Sequence, residues 1–78
     1  MKKIIDLLKE IHPNYDYENS QDYITDGLLD SFDLMRLIMA IGNEYGVTIA
    51  GTDLMPDNFS SAKEIADLLK DYGVEDVL

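Results

Sequence analysis

The stretch Asp26-Gly27-Leu28-Leu29-Asp30-Ser31-Phe32-Asp33-Leu34 sets one hydroxyl after an acidic, glycine-containing loop, at the head of a long apolar helix pattern. Backbone N–H groups point outward at a helix start, and the helix dipole favours an anion there. A phosphate ester on Ser31 would therefore be stabilised by its surroundings. Taken alone, Ser31 is equally well read as a helix cap. Asp30 followed by Asp33 resembles a capping box, with either Asp30 or Ser31 as the cap.

Other chemistry is hard to assemble. A Ser-His-Asp hydrolase needs a nucleophile, a base and an orienting carboxylate within hydrogen-bond reach. The chain has one histidine, His12, and no G-x-S-x-G elbow. His12 reads as a surface residue near a helix C-terminus, where a cation is favoured. Paired carboxylates are expected by chance among 16 acidic residues set against 6 basic ones. A calcium loop counted from Asp22 would use Asp22, Ile24, Asp26, Gly27 and Asp33; Ile24 cannot ligate, and Asp33 is shorter than the usual glutamate. No dedicated metal site is expected, and the chain is read as having no catalysis of its own. With no cysteine, any thiol must come from an added group.

The elements that would position Ser31 follow from periodicity. Over 2–11, Ile4, Leu8 and Ile11 recur at helical spacing, Leu7 broadens the stripe, and Pro13 closes the segment at His12. Residues 14–29 carry no sustained period and read as a long loop, pinned by some of Tyr15, Tyr17, Tyr23, Ile24 and Leu28. A loop that long in so small a domain is often functional. The second helix spans 31–45. One face holds Leu34, Leu37 or Ile38, Ile41 and Tyr45, and a second stripe holds Phe32, Met35 and Met39. Such a helix is either central to the core or offers its extra face to a partner.

Gly46 is placed to end that helix in a left-handed conformation. Residues 47–49 read as extended loop, and 52–58 as a short helical turn interrupted by Pro56. Ser61-Ala62-Lys63-Glu64 matches a capping box, with Ser60 as the alternative cap, opening a last helix that buries Ile65, Leu68, Leu69 and Tyr72. Gly73 ends it, and 74–78 reads as a frayed tail. The expectation is one all-α domain over 1–78, a small four-helix bundle of three main helices and one short one.

The formal charge of −10 repels phosphate backbones, which argues against nucleic acid and for basic protein partners. Hydrophobic residues at 46%, arranged periodically, argue against disorder. Charges interrupt the apolar run after Met1-Lys2-Lys3, so neither a signal-peptide core nor a membrane span is read there, and cytoplasm is the default compartment.

Leu29-Asp30-Ser31-Phe32, followed by Leu34, Leu37-Ile38, Ile41, Glu44-Tyr45-Gly46-Val47 and Ile49, resembles an acyl carrier protein. The run Leu54-Met55-Pro56-Asp57-Asn58-Phe59-Ser60-Ser61 resembles that family's third-helix region. The resemblance extends from the first helix to about Tyr72. It implies 4′-phosphopantetheine, taken from coenzyme A by a phosphopantetheinyl transferase and attached to Ser31, with acyl or aminoacyl groups carried as thioesters. It also implies that Asp30 positions the site. Phe32, Asp33, Met35, Arg36 and Met39 would form part of a surface read by a loading ligase and downstream transferases or synthases, on a monomer. For Met35 and Met39, core filling is the alternative.

Arg36, Gly42 and Asn43 depart from the dense acidic face usual in fatty-acid carriers. They point to a specialised pathway, such as polyketide, nonribosomal peptide or D-alanine transfer. The rival reading is an unmodified acidic helical adaptor that binds basic partners. Either way, self-repulsion at −10 should be relieved by screening. Added salt or divalent cations should raise the melting temperature, and a melt indifferent to ionic strength would remove that argument.

Overall fold

The computed structural model describes residues 2–78. Three α-helices carry the fold: α1 (Ile4–Ile11), α2 (Ser31–Tyr45) and α3 (Ala62–Lys70), with two 3₁₀ turns at Gly51–Asp53 and Pro56–Phe59 between the last two. Among the described residues there is no strand.

Each helix boundary has a local cause. At the start of α1 the Asp6 carboxylate accepts from the Lys3 N–H at 3.0 Å. Its end falls at His12, which Pro13 holds in extended backbone at φ −138°, ψ 93°. Gly46 turns left-handed at φ 71° after α2, and its N–H closes the last turn onto Gly42 O. Ser61 caps α3 by accepting from the Glu64 N–H at 3.1 Å, which settles the choice between Ser60 and Ser61.

The helices join around Ile4, Leu7 and Leu8 of α1, Leu37 and Ile41 of α2, and Ile65, Leu68 and Leu69 of α3, all buried. α1 packs on both other helices, and the second 3₁₀ turn packs on α3 through the buried Phe59. Tyr45 Oη donates to Lys2 O at 2.7 Å, fastening the end of α2 to the start of α1.

The loop between α1 and α2 has no helix, and tyrosines pin it down. Tyr17 and Tyr23 are buried and meet edge to face, with ring centroids 5.4 Å apart. Tyr23 Oη donates to Tyr17 O at 3.0 Å and accepts from the Ala62 N–H at 3.1 Å. Tyr23 N–H donates to Ser60 O at 2.7 Å. One side chain thus holds the loop against the start of α3. Leu29 is buried with them, Ile24 and Leu28 pack partly, and Tyr15 stays largely exposed.

Two expectations need correction. The single short helix at 52–58 is instead two separate 3₁₀ turns. Pro56 forces Met55 into extended backbone at φ −103°, ψ 141° and has no N–H to continue a helix. The end of the chain, expected to fray, is docked. Val74 and Val77 are buried, and Val77 O accepts from the Ile4 N–H at 2.8 Å, one of the donors a helix start leaves unpaired. Val77→Ala should therefore lower stability by about 1–3 kcal/mol, a drop in melting temperature on the order of 10 °C for a domain this small. A thermal melt that matches the unmutated protein would return 74–78 to the status of a loose tail.

Candidate functional site

At the head of α2 the chain satisfies its own turn reciprocally. Asp30 Oδ1 accepts from the Asp33 N–H at 2.9 Å, and Asp33 Oδ2 accepts from the Asp30 N–H at 3.2 Å. Asp30 is thus the cap, and Ser31 is the first helical residue. Ser31 is exposed, and its hydroxyl has no hydrogen-bond partner among the described residues. The first intrahelical bond is Leu34 N–H to Asp30 O at 2.9 Å, so the Ser31 and Phe32 N–H groups are left to an acceptor from outside. An exposed hydroxyl beside two free N–H groups and a helix dipole suits a covalently attached anionic ester.

Asp33 departs from its expected place on a partner-facing surface. It is only 6% exposed, because its carboxylate turns inward to His12, whose Nε2 donates to Asp33 Oδ2 at 2.9 Å. His12, expected as a simple surface residue, therefore has a buried partner. Burial alone would push the Asp33 carboxyl up. The hydrogen bonds from His12 and the Asp30 N–H, together with the charge of His12, outweigh it and hold the group below the ordinary 3.8. The sequence carried one signal for this pair: Pro13 stops α1 at His12 and so places an imidazole at a helix end. Nothing local said which carboxylate it would meet.

The rest of the stripe faces outward. Phe32 is 74% exposed, Met35 63% and Met39 66%, which excludes core filling for the two methionines. Arg36 is exposed beside them. Sequence reasoning missed Leu54 and Met55, also exposed, in the segment between the two 3₁₀ turns. They belong to no helical period, and the one available signal was two adjacent large apolar residues before a proline. Gly42 has an internal reason, since a Cβ there would lie 3.2 Å from Val47 O, where the chain folds back after Gly46. The loop carboxylates serve the loop itself. Asp22 Oδ1 accepts from the Ile24 and Thr25 N–H groups, and Ser20 Oγ donates to Asp26.

Because its folded pKa is lowered, Asp33 contributes stability that is fully present above about pH 4 and lost as the pH falls through the folded value. Asp33→Asn should cost roughly 1–3 kcal/mol at neutral pH. Its deficit against the unmutated protein should shrink as melts are taken toward pH 2. A deficit constant with pH would remove the charge from this account.

No helix among the described residues is long and apolar enough to cross a membrane. No solved structure gives a significant match to the chain. The D-alanyl carrier protein of Bacillus velezensis is 29% identical over 70 residues, covering 87% of this chain and 90% of that protein. The family model described as the phosphopantetheine attachment site matches residues 24–69, more than half of the chain, from the pinned loop through α2 to nearly the end of α3. The chain therefore belongs to the phosphopantetheine attachment site family, as a carrier with no catalysis of its own whose cofactor is covalent 4′-phosphopantetheine.

Proposed function

We propose that this protein is a carrier that holds acyl or aminoacyl groups for a specialised biosynthetic pathway, with Ser31 as its point of attachment. The observation that carries the reading is the exposed, unpartnered Ser31 hydroxyl in the first turn of α2, inside the family match. A phosphopantetheinyl transferase would join the Ser31 oxygen to the phosphate nearer the pantetheine of coenzyme A. The pyrophosphate bond breaks, the hydroxyl proton passes to a base on the transferase, and adenosine 3′,5′-bisphosphate leaves. When bound, the cofactor supplies the thiol that this cysteine-free chain lacks, and cargo rides there as a thioester.

Asp30 holds the turn that presents Ser31, and the helix start receives the new negative charge. Phe32, Met35 and Met39, with Arg36 between them, form the surface that a loading ligase and downstream transferases or synthases would read. Methionines suit such a surface because they repack against different partners. The likeness to a D-alanyl carrier favours an aminoacyl cargo. Arg36 and Asn43 interrupt the acidity expected of a fatty-acid carrier, which favours a pathway other than bulk fatty-acid synthesis.

The test is incubation with coenzyme A, magnesium and a broad-specificity phosphopantetheinyl transferase, followed by intact mass. One phosphopantetheine increment is expected on the unmutated protein and none on Ser31→Ala. No increment with a transferase active on another carrier would sink the reading and favour an unmodified adaptor. For the pathway, the loaded protein should turn over poorly with fatty-acid synthase enzymes, and equal efficiency there and with an aminoacyl ligase would refute the specialised role.

A further inference from the structure

We propose that His12 is a positioning residue for the Ser31 site, acting through Asp33. The proposal rests on Ser31 being the modified residue. His12 lies at the end of α1 and Ser31 at the start of α2, with the whole tyrosine-pinned loop between them in the chain. One oxygen joins the two places: Asp33 Oδ2 accepts from His12 Nε2 at 2.9 Å and from the Asp30 N–H at 3.2 Å. Asp30 is the residue immediately before Ser31, and its own carboxylate caps the Asp33 N–H. Holding Asp33 in one rotamer therefore holds the peptide that aims Ser31.

The imidazole is itself held from several sides. Asp33 faces it from α2, and Tyr15 from the loop stacks on it with ring centroids 4.6 Å apart. Tyr17, also from the loop, donates its hydroxyl to His12 O at 3.2 Å. The charge of Asp33 is felt at the Tyr17 phenol as well, so these groups share one neighbourhood. Without the His12 donor, the Asp33 carboxylate loses its buried partner and turns toward water. The Asp30 N–H then loses its acceptor, and the first turn of α2 opens for part of the time. A transferase meets fewer chains with Ser31 in place, so apparent affinity falls with the ordered fraction.

Two substitutions separate the donor from the ring. His12→Phe keeps the stack on Tyr15 and removes the N–H, whereas His12→Gln keeps an N–H donor near the position of Nε2. Val77→Ala, beside the start of α1, serves as a control for stability lost elsewhere. Phosphopantetheine transfer kinetics are measured well below each melting temperature, alongside the backbone amide NMR signals of residues 30–33. His12→Phe should lower kcat/KM about threefold or more, the scale of a modest coupling energy. The change should lie in KM, with line broadening confined to residues 30–33. His12→Gln should recover most of it, and Val77→Ala should change neither.

His12→Asn keeps a polar side chain too short to reach Asp33 from the position of Nε2, and should lose as much as His12→Phe. Equal kcat/KM for folded His12→Phe and the unmutated protein would overturn the proposal, as would an equal loss in Val77→Ala. If His12→Phe does not fold, a kcat/KM for folded His12→Asn equal to that of the unmutated protein overturns it. Loading that proceeds without any effect of His12 leaves the Ser31 reading standing, whereas no loading of the unmutated protein removes both.

Discussion

A carboxylate withdrawn from water must find donors or give up its charge, and at the head of α2 that carboxylate is Asp33. It satisfies the constraint by taking the His12 imidazole from the end of α1 and the Asp30 N–H from the turn before its own helix. Two distant points of the chain are thereby tied to one buried oxygen. The direction of the first turn, and with it the presentation of Ser31, follows from that bond. Because its acceptor is a carboxylate, the pair is also a strong, directional join between α1 and α2.

Elsewhere the fold must offset a formal charge of −10 with a small core. It does so by recruiting segments outside the helices. The loop between α1 and α2 contributes Tyr17, Tyr23 and Leu29 to the interior, and the end of the chain contributes Val74 and Val77. The tyrosines suit this work because each buries a large ring and keeps a hydroxyl that satisfies backbone groups in a segment without a helical ladder. Burial first, and then the charge of Asp33, pushes the Tyr17 phenol up to about 12. It therefore stays a neutral donor over the range in which the domain works.

What the core leaves outside is as informative. Phe32, Met35 and Met39 form an apolar strip along α2 beginning next to Ser31, and Leu54 and Met55 stand exposed before Pro56. In the proposed reading, the net negative charge would draw basic partners at long range and the apolar strip would supply short-range contact. This is the division of labour expected of a carrier that must be found quickly and released again.

Much of this was legible in the chain of residues. The periods of α1, α2 and α3, the proline stop after His12, the left-handed Gly46 and the Asp30–Asp33 spacing all act through neighbours within a few positions. Sequence alone therefore determined three helices, an exposed-or-capping Ser31 and a carrier-like order of elements. It could not determine which carboxylate accepts from the His12 imidazole, whether Met35 and Met39 face in or out, or that Val77 closes the start of α1. It also could not give the reason for Gly42, whose neighbour Val47 O arrives only when the chain folds back. Those outcomes belonged to the tertiary structure, because each depends on which distant groups compete for the same limited interior, and local spacing carries no record of that competition.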